Sequence, residues 1–347
     1  MDRSRRLPRL VDVAARAGVS LATASRALAG RDGVSAGVAG HVREIARELG
    51  YVANTHARTL AGGPTSTVGL IVNEIGDPYF SEIASGVLRL AGEHDLSVQI
   101  CHSGRDPRHE LAQIRSLVAH RVGVIVLAGS GYTDPRLQAQ SRLELGAFEG
   151  RGGRASVIGR HFLGVDAVLP DNVAAGHAVA DHLLSLGHRR VAVAAGPARL
   201  TTVVDRLAGV AAAVRRHGLP WPATPVVHAD FTRAGGCAAT EEIMREHPGT
   251  TAIIGLTDMM AIGAMSTLRS TGLAVPGDIS VAGINDIAVA ADLAPSLTTV
   301  RLPMAGMGEL ALELALREPS RRPRRKLTGH ELVVRDSTAP PWGRNDP

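Results

Sequence analysis

Residues 10–29 read LVDVAARAGVSLATASRALA. Apolar side chains at Leu10, Val13, Ala14 and Ala17 recur at helical spacing and make one face of a first helix. Gly18 stands where a tight turn needs positive φ, and Val19 can pack beneath that turn. Ser20 is placed to cap a second helix by accepting a backbone N–H. That helix runs from Leu21 to Leu28 with Ala24 and Leu28 facing inward. Its outer side carries Leu21, Ala22, Thr23, Ser25 and Arg26. Small residues where the helices cross, with glycine in the turn, give the layout of a helix-turn-helix. The second helix of that motif enters the major groove with its N-terminal residues on base edges. A generic helical hairpin shares the periodicity but has no reason for a basic outer face.

The charge distribution points the same way. Residues 1–62 hold ten Arg against five Asp/Glu, whereas residues 63–347 hold 28 basic and 28 acidic residues. A basic small head on a neutral large body suits a polyanionic partner. Within the head, Arg26 can pair with guanine or clamp a phosphate, and Ser20, Thr23 and Ser25 offer hydroxyls to bases or phosphates. Leu21 and Ala22 offer apolar contact to a thymine methyl. A third helix is expected from an N-cap at Ser35 to Leu49, closed by Gly50. Gly37 and Gly40 weaken its first turns by about 1 kcal/mol each relative to alanine. Asn54–Gly62 (NTHARTLAG) makes a short helix capped by Asn54. At nine residues it is marginal alone in water and suited to folding on a partner.

Beyond Gly62-Gly63-Pro64 the pattern changes. Continuous apolar runs at 67–72, 96–101, 122–127, 155–158, 190–195, 225–228, 251–255 and 279–283 alternate with amphipathic helical stretches, which indicates buried parallel sheets. About 280 residues of this pattern suggest two lobes. The expected organisation is a head over 1–53, a hinge over 54–63, and a core over 64–340. Its first lobe takes about 64–170 and 303–318, its second about 171–302 and 319–340, and 341–347 form a tail. The fold class is thus an all-α helix-turn-helix head with an α/β core of two doubly wound parallel sheets. The run Arg321-Arg322-Pro323-Arg324-Arg325-Lys326 reads as a solvated connection rather than a second DNA site.

The stretch LVDVAARAGVSLATASRAL, then VS at 34–35, VREIARELGYVAN at 42–54 and ARTLAGG at 57–63, resembles the head and hinge of the LacI (lactose-repressor) family of transcriptional regulators. The core continues the resemblance through DPYF at 77–80, DN at 171–172, HLLSLGHRRVAV at 182–193, RLAGV at 206–210, TDMMAIGAM at 257–265, VPGDISVAGINDI at 275–287 and PSLTTVRLP at 295–303. This likeness covers about residues 9–340. It implies a core like that of periplasmic sugar-binding proteins, a homodimer, and a near-palindromic operator. It also implies that Leu60 is a minor-groove wedge, with Asn54 and Arg58 on the sugar-phosphate backbone. Tyr51, inside the matched head motif, completes the expected DNA-binding set. Three departures stand out. Val38-Ala39 occupy positions where members often carry Thr-Arg, Ala53 replaces a proline, and the leucine-heptad tail of tetrameric members is missing.

Doubly wound sheets bind ligands at the carboxyl ends of their strands, and two such lobes can close on a small molecule. The candidates there are Asp77, Tyr79, Phe80, Arg206, Phe231, Asp258 and Asn285. Carboxylates and an arginine can bond vicinal hydroxyls, and an aromatic face can cover a sugar ring. With four Phe, three Tyr and two Trp in the chain, two aromatics at cleft loops are informative. By the resemblance, Arg206, Phe231 and Asp258 match effector-binding positions. Asn285 stands where sugar-responsive members often carry Asp. Leu200 replaces the arginine of purine-responsive members, and Gly159 replaces a cleft acid. A neutral sugar is the first expectation for the effector.

The other classes fit less well. No GxSxG elbow, P-loop or CxxC is present, and Gly150–Gly153 precedes a strand instead of following one. No catalytic residue, metal site or cofactor is therefore expected. Cys101 and Cys237 read as small buried hydrophobes. No apolar run reaches membrane-spanning length, and the basic N-terminus leads into no signal-type run, so the expected location is cytoplasmic. A sugar-binding transport protein without DNA function is the alternative. The basic helical head argues against it.

Overall fold

A computed structural model describes residues 8–30, 32–51 and 67–341. It divides into two compact units, Met1–Thr65 and Ser66–Pro347. In the first, α1 (Leu10–Arg16), α2 (Leu21–Ala29) and α3 (Ala36–Glu48) enclose Val13, Ala14, Ala24, Ala27, Val42 and Ala46. Gly18 has a φ of +66° and lets the chain turn between α1 and α2. The Ser20 hydroxyl accepts from the Thr23 N–H at 3.1 Å, and Ser35 caps α3 from Val38 at 3.4 Å. That cap carries α3 through Gly37 and Gly40 as regular helix. Ala27 is buried beside Ala24, so the inner face of α2 is wider than the sequence pattern indicated.

The second unit holds two six-stranded sheets. The first lobe is built from β1 (Thr67–Val72), α4 (Pro78–Glu93), β2 (Ser97–His102), α5 (Pro107–Ala119), β3 (Val124–Ala128), α6 (Ala139–Gly150), β4 (Arg154–Ile158) and β5 (Asp166–Pro170). The chain crosses at Asp171 and builds α7 (Asn172–Ser185), β6 (Val191–Ala195), α8 (Thr201–Arg216), β7 (Val226–His228), α9 (Arg233–Glu246), β8 (Ala252–Gly255), α10 (Asp258–Ser270), β9 (Ser280–Asn285) and β10 (Thr298–Arg301). It returns through α11 (Met304–Leu316) and β11 (Arg325–Thr328) to the first lobe, and ends in the second with β12 (Glu331–Val333).

The sheet orders are β11-β5-β4-β3-β1-β2 and β12-β10-β9-β8-β6-β7. All pairs are parallel except β10 with β12. This corrects the expected lobe boundary. Residues 325–328 pair with β5, Arg325 opposite Ala167, so the last crossing falls at 329–330 and not near 318. The backbone ladder fixes that strand at a sheet edge while its side chains stay largely exposed, which is why it lacks an apolar signature.

Strands β1, β3, β4 and β6 are almost wholly buried, as expected where helices cover both faces. Close helix crossings position the site. A Cβ at Gly209 of α8 would overlap the Val173 carbonyl, and one at Gly176 of α7 would overlap the Arg206 carbonyl. With glycine at both places α7 and α8 approach backbone to backbone, and the side chains of Asn172 and Arg206 meet.

Candidate ligand cleft and DNA-reading helix

The carboxyl ends of the two sheets face one narrow cleft, where ligands of doubly wound sheets bind. The lining residues come from both lobes. Asp77, Tyr79 and Phe80 begin α4 after β1. Arg206 and Thr202 lie on α8, Phe231 follows β7, and Asn285 ends β9. Asp77 caps α4, accepting the Tyr79 N–H at 3.1 Å. Phe80 meets Tyr79 edge to face, with centroids 5.0 Å apart. Gly196 makes room for Phe231, since a Cβ there would overlap the ring.

Arg206 is the centre of the cleft and is 2% exposed. Its Nε donates to Asn172 Oδ1 at 2.9 Å, one terminal nitrogen to Asn285 Oδ1 at 3.0 Å, and the other to the Leu256 carbonyl. A guanidinium has five N–H donors, so part of its capacity remains for a ligand. Burial pulls its pKa down to about 10, while Tyr79, Asp258 and Asp77 oppose the shift. It therefore stays charged at neutral pH. Burial also raises the Asp77 carboxyl against the Tyr79 N–H, Arg105 and Arg206, which lower it. Loss of water likewise pushes the Tyr79 hydroxyl up to about 12.

Six of the seven expected cleft residues line this space; Asp258 does not. Its carboxylate is fully buried and turns toward its own lobe. It accepts the Ile287 N–H at 2.9 Å and the Thr299 hydroxyl at 2.5 Å. Desolvation raises its pKa to about 6 despite those bonds. Asp258 thus ties α10 to the β9–β10 connection, and a ligand contact from it has no support here.

Several lining residues escaped the sequence reading, namely Asn73, Arg105, Ser130 and Thr202. Arg105 lies 6.0 Å from the Phe80 ring centre and 5.9 Å from that of Phe231, so it bridges aromatics of both lobes. It also lies 3.6 Å from Asp77. The signal that would have found three of these is positional, since Asn73, Arg105 and Ser130 each follow a strand of the first sheet. Gly159, with φ +108°, lines the cleft where a Cβ would overlap the Gly129 carbonyl. An acid there would need a different backbone.

The lobes also touch at the cleft mouth. Thr201 donates its hydroxyl to the Arg160 carbonyl at 2.8 Å, and the Thr202 N–H donates to Ser130 at 3.0 Å. Arg160 makes a two-point pair with Asp205.

In the head, Leu21, Ala22, Ser25 and Arg26 are exposed on α2, and Thr23 is half-buried. Their common face is free of the head core, as base reading requires. Ser20 is occupied as the helix cap. Tyr51 packs partly against the head core. Asn54, Arg58 and Leu60 lie outside the described residues.

Comparison with known proteins follows this division. Residues 9–54 match the lacI family of bacterial regulatory proteins, and residues 180–338 match a periplasmic binding protein-like domain. The HTH-type transcriptional regulator CelR of Thermobifida fusca is 34% identical over 345 residues, covering 97% of this chain and all of the other. The HTH-type transcriptional repressor CytR of Escherichia coli K12 is 31% identical over 333 residues, covering 94% and 95% of the two chains. A solved transcriptional regulator CelR–cellobiose complex superposes with a TM-score of 0.70 at 29% identity, covering 95% of this chain and 99% of the other. With a helix-turn-helix head at one end of the sequence and a two-lobed cleft in the remainder, this chain belongs to the lacI family of bacterial transcriptional regulators.

Proposed function

We propose that the protein is a repressor that binds a near-palindromic operator as a homodimer and changes its DNA affinity when the cleft closes on a sugar. The observation that carries the ligand class is the buried Arg206, with donors to spare, beside the aromatic rings Phe80 and Phe231. Paired hydroxyls of a sugar ring suit the guanidinium and Asp77, and the apolar ring face suits the aromatics. The solved CelR complex contains cellobiose, which agrees with this class. Asn285 adds an amide, and Leu200 presents an apolar wall.

A twofold dimer sets two copies of α2 in successive major grooves. Ser20, Leu21, Ala22, Thr23, Ser25 and Arg26 then read the half-site, with Tyr51 beside them. Leu60 wedges the central step while Asn54 and Arg58 hold the backbone. Ligand binding favours one arrangement of the lobes over another, and only that difference in affinity moves the DNA equilibrium.

Thermal unfolding against a panel of mono- and disaccharides, with purines and amino acids as controls, tests the ligand class. A ligand that binds the native state raises the midpoint by mass action. A sugar that shifts the parent but not Arg206→Ala supports the reading; a shift by a purine alone overturns it. The wedge is tested by operator bending, which Leu60→Ala should reduce.

A further inference from the structure

The basic run over 321–326 acquires a position from the sheet that sequence alone does not supply. All six strands of the first sheet run parallel, so their amino ends lie together, opposite the ligand cleft. Thr67, where the chain enters the core from the head, is at that end, and so is the connection leading into β11. This connection borders a groove of about 220 Å³ with Gly153 and Arg154 at the start of β4 and Asp166 at the start of β5. Four strand intervals separate β11 from β1, about 19 Å at the usual spacing. A duplex gripped by the head is tethered, through residues 52–66, to the end of the lobe that carries the basic run.

The cations of this region fall into two sets. Arg324 pairs with Asp166 at 2.9 Å and donates to the Glu318 carbonyl, and Arg317 pairs with Glu313. Those two hold the connection in place. Arg321, Arg322, Arg325 and Lys326 are exposed, and none has an acidic partner among the described residues. Charges on an edge strand can serve to block unwanted strand pairing, which covers Arg325 and Lys326 on β11. That explanation does not reach Arg321 and Arg322, which precede the strand. Four neighbouring cations repel one another unless a polyanion lies near. Their flexible side chains sit on a loop and a strand edge, with no element shaped to enter a groove, so they suit phosphates and not base edges.

The geometry points to a second DNA-facing surface, made by Arg321, Arg322, Arg325 and Lys326, which binds backbone phosphates flanking the site read by α2. It reads no sequence. It raises affinity for any duplex long enough to reach it, at the operator and away from it.

The intact protein tests this in two ways. Affinity is measured against salt for the parent and for Arg321→Gln/Arg322→Gln/Arg325→Gln/Lys326→Gln. One duplex of about 20 base pairs holds two half-sites one turn apart; the other is three times longer. Each phosphate contact adds about 0.9 to the slope of log affinity against log salt. On the long duplex the variant slope should therefore be smaller by up to about 7, from eight exchanged cations in a dimer, and on the short one it should match the parent. Exchanging Arg for Lys and Lys for Arg at the four positions should restore the parent slope.

The second readout needs no substitution. Lys326 is the only lysine in the chain, so amine acetylation read by mass spectrometry reports on this surface. The long duplex should slow Lys326 acetylation several-fold and the short one should not. Equal slopes for parent and variant on the long duplex, or equal acetylation with and without it, would overturn the proposal and leave an acidic protein as the partner of this surface. Equal loss on both duplexes would overturn the flanking assignment. A parent with no salt-dependent DNA binding would instead remove the operator reading itself, a separate result.

Discussion

Arg160 of the first lobe and Asp205 of the second form a two-point ion pair across the cleft mouth, Nε to Oδ2 at 3.0 Å and a terminal nitrogen to Oδ1 at 2.7 Å. Both side chains are partly exposed. After solvent screening such a pair is worth about 0.5–1 kcal/mol, a two- to fivefold bias toward contact between the lobes. Arg160→Gln or Asp205→Asn should speed effector release by that factor in a stopped-flow measurement. The swapped double variant Arg160→Asp/Asp205→Arg should return it toward the parent. Release rates unaffected by either single change would show that the bonds between residues 130–133 and 199–202 hold the mouth without the ion pair.

Arg206→Ala should abolish the response to effector while leaving DNA binding without effector intact. Arg206→Lys should fare little better. A compact ammonium cannot reach Asn172, Asn285 and the Leu256 carbonyl in the planar fork a guanidinium provides. Calorimetric titration with the effector, beside operator binding, separates the two properties. A lysine variant with parent affinity would show that charge suffices and geometry does not matter.

Asp258 gives a pH prediction. Its pKa is raised from 3.8 to about 6 by burial, so the folded state holds the proton more tightly than the unfolded one. The stabilising effect of this group is full below pH 4 and is lost as pH rises through 6. Asp258→Asn keeps an acceptor for the Ile287 N–H and turns an amide toward Thr299. Relative to the parent it should gain stability on the order of 2 kcal/mol at pH 7.5, and the gain should vanish near pH 4. Denaturant melts at the two pH values check this; a constant difference would mean the carboxyl titrates normally.

Arg26→Ala should weaken operator binding tenfold or more while changing random-sequence binding much less, because a bidentate base contact discriminates by about that amount. Equal losses on both duplexes would reduce Arg26 to a phosphate contact.

Gly159→Ala should lower the melting temperature. Its φ of +108° costs a non-glycine residue about 1–3 kcal/mol, and the new methyl overlaps the Gly129 carbonyl. A parent-like melt would mean this backbone relaxes freely.

What was legible in the sequence follows from where each residue keeps its information. The apolar runs of β1, β3, β4, β6, β8 and β9 are strands because both faces are covered, and such runs are read directly. β5, β10, β11 and β12 were missed. The threonines of β10 and the charges of β11 give no apolar run, and only pairing with a neighbour makes them strands. α11 gives no amphipathic signal, because MAGMGELALELAL, packed on α4 and the first sheet, is apolar nearly all round and carries two glycines. In the cleft, position at or just after the end of a strand leads to Asp77, Phe231 and Asn285. It failed for Asp258, which opens α10 after β8 yet satisfies its carboxylate inward. Hydrogen-bond direction is set by tertiary packing, and no spacing in the chain records it.

Residues 325–339 complete both lobes. β11 closes one sheet and β12 the other, and Ser337 and Ala339 bond back to Val281, Thr298, Ser280 and His188. During synthesis the head leaves the ribosome first, with its three helices and their caps all drawn from the first 50 residues. The core waits for residues 325–339, which supply an edge strand to each sheet. Each new molecule thus completes its three-helix head before either sheet of the core can be finished. The cleft is therefore assembled after the head.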